Sequence, residues 1–241
     1  MTRIAIIAAL PGELKLLVRD WQHERHPGID LWQTRLGDRE CIAGCAGVGK
    51  DAAARAFAKI ESSGKVDRLI SVGWAGALRP EIESGKAYQA AGVIDLQTGE
   101  RFPVPCAGPA NPWLVTSNRV AGHADKARLA EQYGAGLVDM EAAAVARLAE
   151  MRGIPFDCFK GVSDGFSDRL PDFNRLIGPN GQLSMPRLLF FVLPRPWHWP
   201  ALIRMGENSR KASHTLAGLL LVNLNTTGDR SNPNGNPSFS S

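Results

Sequence analysis

Cysteine is scarce in this chain, with four residues in 241 at irregular positions 41, 45, 106 and 158. A polypeptide of this length can bury a core of its own, so a disulfide framework is excluded as its organising principle and buried, reduced thiols are expected. Histidine is almost as thin. Only His23 and His26 lie close together, in a polar segment flanked by proline and glycine, which reads as exposed loop and supports no metal site. No charged-then-apolar leader precedes the first apolar run, and no run approaches the roughly 20 residues of a membrane span, so a cytoplasmic protein is expected. Nor does the main body carry an excess of one charge. Residues 1–186 hold 22 Lys/Arg against 22 Asp/Glu and residues 187–241 hold 6 against 2, so the net +4 belongs to the C-terminal segment. A neutral body leaves no electrostatic footprint for nucleic acid, and none is expected as a partner.

What is present is a soluble-type composition, 44% hydrophobic and 22% charged, with apolar runs that alternate with helical patterns. Arg3–Leu10 (RIAIIAAL) reads as a strand buried on both faces, broken by Pro11-Gly12-Glu13 before a helix from Leu14. Glu40–Ala46 enters a Gly47-Val48-Gly49 turn, and a helix follows from Asp51. Asp67–Val72 ends in a Gly73-Trp74-Ala75-Gly76 loop. Further strands are expected at Ala87–Asp95 and Phe156–Val162, the latter ending in Ser163-Asp164-Gly165. This alternation predicts an α/β sheet covered by helices, with ligands bound where the strands end.

Residues 1–186 read as the α/β domain. Residues 187–224 read as its basic C-terminal helical segment, preceded by proline and tryptophan, and 225–241 have the composition of a disordered tail. The plain reading of 187–224 is a helix docked on the domain; the sharper one is a peripheral lipid contact.

Gly44–Asp51 (GCAGVGKD) nearly matches a phosphate loop but carries Asp51 where the magnesium-binding hydroxyl belongs. A carboxylate there faces the phosphate charge, so a nucleotide triphosphatase is rejected. The turn can still hold an anion against the helix that follows.

Three junctions carry chemistry: Glu13, the Gly73–Gly76 loop and Ser163-Asp164. Taken singly, each has a bland explanation as a first-turn acid, a plain turn or a loop-capping carboxylate. Their expected convergence at one end of a sheet argues for a site. A fourth stretch, Leu137–Glu150 (LVDMEAAAVARLAE), opens an alanine-rich helical run with Asp139 and Glu141.

Four stretches, IAIIAALPGEL (4–14), AGVGKDAAA (46–54), SVGWAGAL (71–78), and VDMEAAAVA with KGVSDGFSD (138–146, 160–168), resemble the nucleoside phosphorylase superfamily over about residues 3–175. Within it the chain resembles the 5′-methylthioadenosine/S-adenosylhomocysteine nucleosidases, and its Pro-Gly-Glu start and basic end look most like hopanoid-associated phosphorylase-type members. The resemblance implies a three-layer αβα sandwich around a twisted mixed sheet. It implies cleavage of the N-glycosidic bond of a purine nucleoside, adenine first, with no cofactor and with inorganic phosphate as co-substrate only if the enzyme is a phosphorylase. An apolar 5′ substituent such as an adenosylhopane-like lipid is the finer expectation, and a homo-oligomer is expected.

By the same resemblance Asp164 is the acid to the base, preceded by Ser163. Glu13 activates the nucleophile, Glu141 holds the ribose with Met140 packed on the sugar, and Gly73, Trp74, Ala75 and Gly76 lie under sugar and base. The chemistry agrees, because breaking a C–N glycosidic bond builds positive charge on the ribose and negative charge on the departing base. An acid facing the base and a base facing water divide that task. A carboxyl walled in by apolar groups would hold its proton for it. Asp139, by contrast, is expected to start the helix, facing solvent or capping it, so that Asp139→Asn costs little. Trp74 departs from the small hydroxyl residue common in the nucleosidases, and 114–126 has no base-stacking Phe. Arg39 and Arg79 remain phosphate-site candidates for a phosphorolytic alternative. A non-catalytic nucleoside-binding protein is the rival from another class.

Overall fold

The computed structural model describes residues 1–168 and 199–226. Within them the elements run β1 (Thr2–Ala8), α1 (Pro11–Leu14), β2 (Gln22–His26), β3 (Ile29–Leu36), β4 (Arg39–Cys45), α2 (Lys50–Glu61) and β5 (Arg68–Ala77). There follow β6 (Ala87–Gln89), β7 (Gly92–Asp95), β8 (Arg101–Pro103), β9 (Trp113–Thr116), α3 (His123–Tyr133), β10 (Leu137–Asp139), α4 (Ala142–Arg152), β11 (Phe156–Asp164) and α5 (Trp199–Thr226). The strands join in one mixed sheet ordered β2-β3-β4-β1-β5-β10-β9-β7-β8, with β11 on β5 and β6 on β11.

The centre of the sheet is β1, β4, β5 and β11, mutually parallel and almost wholly buried, which explains their unbroken apolar composition. On one face α2 and α4 bring their alanine-rich sides onto the strands with Phe57, Ile60 and Val145. On the other face Leu14, Leu17 and Val18 join Leu216, Leu220 and Leu224 of α5. Helices on both faces of a twisted mixed sheet make the three-layer sandwich expected from the sequence. The buried residues of α5 recur at 209, 212, 213, 216, 220 and 224, one helical stripe. Three fully buried leucines at about 1.5–3 kcal/mol each make this face part of the core. The helix runs two residues past the expected 224 boundary. The Pro-rich part of the C-terminal segment before Trp199, and the tail from 227, lie outside the described residues.

Several local expectations are corrected. The helix expected from Leu14 is a single turn that begins at Pro11, whose fixed φ suits a first helical position. The segment with His23 and His26 is an edge strand of the β2–β3 hairpin, not a loop; His23 stacks on Trp32 at 4.8 Å and meets Asp30 Oδ1 at 2.9 Å. The run Ala87–Asp95 divides into β6 and β7. Gly73–Gly76 is no loop, because β5 continues through it, paired with β11 on one side and β10 on the other. Cys41, Cys45 and Cys158 are buried and free as expected, whereas Cys106 is exposed. No helix among the described residues is long and apolar enough to cross a membrane.

Arg68 at the start of β5 and Asp157 on β11 form a buried pair, with Nε at 2.8 Å and Nη2 at 2.5 Å from Oδ2. Removing one member strands the other charge, so Asp157→Ala should lower the unfolding free energy by about 3 kcal/mol in urea denaturation. A loss under about 1 kcal/mol would show that Arg68 finds full compensation elsewhere.

Candidate active site

Glu13 lies in the one turn of α1, directly after β1, and is folded back against the strand end. Its Oε2 accepts from the backbone N–H of Ala9 at 2.9 Å and of Leu10 at 2.8 Å, and its Oε1 accepts from Trp74 N–H at 2.8 Å. Burial raises its pKa above the usual carboxylate value, against the three N–H groups and the charge of Lys160, which favour the ionised form. The carboxylate rests on β5 because Gly73 has no side chain. A Cβ there would sit 2.9 Å from Glu13 Oε1, at a φ of +150° that side chains rarely adopt.

Glu141 is the residue before α4, and its Oε1 accepts from Gly49 N–H at 2.9 Å. The glycine turn that imitates a phosphate loop therefore holds a carboxyl group of its own chain. Burial first, and the charge of Asp139 second, push the Glu141 pKa up to about 8, opposed by Lys160. Asp139 is not at the surface as one expectation had it. It is buried, takes Thr116 Oγ1 at 2.7 Å and Ala142 N–H at 3.0 Å, and pairs with Lys160 Nζ at 2.8 Å. The capping half of that expectation holds; the solvent half does not, because β10 runs inside the sheet and carries Asp139 with it. Lys160, buried on β11, also reaches Ser71 Oγ at 3.3 Å.

Asp164 ends β11 just past a register shift, beside Gly76. A Cβ on Gly76 would come within 2.9 Å of Asp164 Oδ2, so the same strand that admits Glu13 also admits Asp164. Ser163 Oγ donates to Asp164 Oδ1 at 2.8 Å. The wall behind Asp164 is not apolar, contrary to expectation. Lys126 of α3, 1% exposed, places Nζ 2.5 Å from Asp164 Oδ2 and 2.6 Å from the Gly165 carbonyl.

The three carboxylates Glu13, Glu141 and Asp164 line one cavity of about 170 Å³, together with Asp139. Glu13, Met140, Glu141, Ser163, Asp164, Trp74, Ala75 and Gly76 all border it, and Gly73 supports it through Glu13. The Trp74 indole packs on Gly12 and donates to Ser213 Oγ of α5 at 3.2 Å, which ties the cavity wall to the C-terminal helix. Arg39 and Arg79 do not line the cavity: Arg39 bonds the Leu224 carbonyl, and Arg79 bonds the Ala135 carbonyl at 3.1 Å. The arginine in the lining is Arg119, which pairs with Asp125 at 3.2 Å. Among the described residues no group of three or more His, Cys, Asp or Glu could hold a metal ion.

Two cations of this site, Lys126 and Lys160, escaped the sequence reading. A lysine inside the apolar run FDCFKGV was a usable sign of a buried charge for Lys160. Lys126 carries no such sign, since a lysine in an amphipathic helix ordinarily faces water.

The family model described as the phosphorylase superfamily matches residues 3–116 and 112–176. The chain belongs to the phosphorylase superfamily. Membership puts it among nucleosidase and nucleoside phosphorylase enzymes. Its fold is similar to that of 5′-methylthioadenosine/S-adenosylhomocysteine nucleosidase from Helicobacter pylori, at TM-score 0.68 and 16% identity over 93% of this chain and 98% of that one. It is similar to 5′-methylthioadenosine nucleosidase of Arabidopsis thaliana at TM-score 0.68 and 16% identity, over 95% and 97%. Futalosine hydrolase of Helicobacter pylori gives TM-score 0.66 and 16% identity, over 93% and 97%. No curated protein sequence matches the chain.

In this phosphorylase-superfamily site a raised folded-state pKa means that Glu141 contributes stability below about pH 4.5 that is lost as pH climbs through about 8. Thermal unfolding of Glu141→Gln should therefore gain on the wild type progressively from pH 5 to 8. A Tm difference that stays constant would mean Glu141 titrates like an exposed carboxylate. Asp139→Asn leaves Lys160 without its partner and should cost about 3 kcal/mol in chemical denaturation, not the small loss expected from the sequence.

Proposed function

We propose that the chain cleaves the N-glycosidic bond of a purine nucleoside, adenine first, with water as the nucleophile. The observation that carries this reading is the meeting of Glu13, Glu141 and Asp164, far apart in sequence, around one cavity. A binding protein has no need of an acid and a base on opposite sides of a bond.

The reaction divides among the three. Glu13 is aligned by three backbone N–H groups, and its raised pKa makes it a stronger base than a free carboxylate. It orients the water and takes its proton as oxygen attacks C1′. Glu141 takes the ribose hydroxyls through its two carboxyl oxygens, and its dipole lies beside the sugar where positive charge develops. Asp164 faces the base and passes a proton to N7 as the C1′–N9 electron pair departs. Met140 packs on the sugar, and β5 from Gly73 to Gly76 underlies sugar and base.

Water is favoured over phosphate because the Glu13 carboxylate itself occupies the backbone N–H groups of Ala9, Leu10 and Trp74 that could otherwise hold an anion, and its charge repels a second one. The finer reading, an apolar 5′ substituent such as an adenosylhopane-like lipid, draws support from Trp199 and Ile203, exposed at 45% and 61% at the start of α5. Peripheral lipid contact through 187–224, homo-oligomerisation and a cytoplasmic place accompany that reading as proposals.

Mass spectrometry of products from a nucleoside panel, with and without phosphate, tests the reaction. Free base and free sugar in phosphate-free buffer are expected, whereas a sugar phosphate formed only with phosphate would establish phosphorolysis. Glu13→Gln should lower kcat by about 10²-fold or more. A variant as active as the wild type would remove Glu13 from the chemistry.

A further inference from the structure

Lys126 is the buried charge that the three-carboxylate reading leaves without a task. It lies on α3, in the stretch where a base-stacking aromatic was expected, and its ammonium is spent on two acceptors, Asp164 Oδ2 and the Gly165 carbonyl. It does not border the cavity; it stands behind the residue that does. Burying an ammonium costs several kcal/mol before its partners compensate, and a hydrophobic side chain would fill the same volume without that cost. A structural explanation would need Lys126 to hold together elements that otherwise separate. Yet Gly165 is already tied by its N–H to Asp168 Oδ2 at 2.7 Å, and Asp164 is already held by Ser163 and by β5.

The chemistry supplies a reason. A lone carboxyl can protonate a leaving base only if its surroundings keep it neutral. Asp164 has no apolar wall behind it; instead the Lys126 ammonium lies one hydrogen bond away, 2.5 Å from Oδ2, and carries a transferable proton. The geometry points to Lys126 as the positioning residue that stores the leaving-group proton and hands it through Asp164 to the purine. This inference rests on the nucleoside-cleaving reading above.

The step balances. The C1′–N9 bond breaks and its electron pair goes to the base. The base takes a proton at N7 from Asp164, and Asp164 takes one from the Lys126 ammonium, which becomes a neutral amine. Water bonds to C1′ and gives its proton to Glu13. After release, Glu13 loses that proton to solvent and Lys126 regains one.

Other charged groups around the pair are committed elsewhere or stand apart from it. Arg119, ahead of α3, pairs with Asp125, which also takes Arg128 at 2.8 Å. His123, at the start of α3, is exposed and faces the Phe166 ring at 6.2 Å. Asp168, beyond β11, caps Gly165, and Glu141 and Glu13 occupy the other parts of the cavity wall.

The test compares an adenine nucleoside with 4-nitrophenyl β-riboside, whose phenolate departs without a proton, in Lys126→Met, Lys126→Gln and Lys126→Arg. On the nucleoside, Lys126→Met should lose about 10²-fold in kcat with KM nearly unchanged, and its alkaline limb should move to lower pH because Asp164 must then hold the proton alone. On the aryl riboside the same variant should stay within about threefold of wild type, since general acid help is not needed there. Lys126→Gln keeps hydrogen-bond donors to Asp164 and Gly165 without a transferable charge, so it should behave like Met even where Met impairs folding. Lys126→Arg keeps the charge but grips its proton, and should restore the fold without the rate. Equal losses on both substrates with an unmoved pH profile would overturn the proposal and leave Lys126 a structural residue. Wild-type protein that releases base from no nucleoside would overturn the parent reading, and is recognised before any substitution is made.

Discussion

A carboxylate withdrawn from water must be met by donors or by positive charge, and four of them converge at one end of this sheet. Lys160 is the centre of that arrangement. From β11 it pairs with Asp139 and lends its field to both Glu13 and Glu141. Without it three buried acids would repel one another across a space a few side chains wide. The fold is built to deliver that lysine. β11 is paired along its whole length with β5, and α5 covers the far face of the sheet, so Lys160 has one available position.

The second requirement is steric. Two carboxylates approach a single strand closely enough that any side chain at Gly73 or Gly76 would strike them. Glycine therefore serves here as room for acids rather than as a turn, which is why β5 remains a strand where the composition suggested a loop. Trp74 between the two glycines sends its indole outward to Ser213 and its N–H inward to Glu13. The helix that follows the Pro-rich segment is thus coupled to the Glu13 end of the cavity.

Of the carboxylates lining the cavity, Glu13, Glu141 and Asp164 each have a different environment, and the difference supports the proposed division of roles. Glu13 has backbone donors, Glu141 has a glycine N–H and the distant help of Lys160, and Asp164 has a lysine of its own. Equal environments would have produced three equivalent groups. Separated ones allow a base, a sugar clamp and a proton route within one cavity of about 170 Å³.

Much of this was legible in one dimension. Unbroken apolar runs identified β1, β4 and the first half of β5, since strands buried on both faces need no polar alternation. The motifs at 13, 141 and 163–164 marked the acids because carboxylates beside strand ends are conspicuous against such runs. The β2–β3 hairpin was missed because an edge strand with polar faces has the composition of a loop. Asp139 was misjudged because a carboxylate three residues before a helix start looks the same in sequence whether β10 lies at the surface or inside the sheet. Lys126 was invisible for the same reason: burial is a property of what packs around a residue, and α3 meets the end of β11 only once two residues 38 positions apart have been folded together. The sequence by itself determined which side chains can carry charge, which segments must be buried and where glycine permits close approach. Only the tertiary structure decided which cation stands behind which carboxylate, because electrostatic pairing depends on distances in space that chain spacing does not encode.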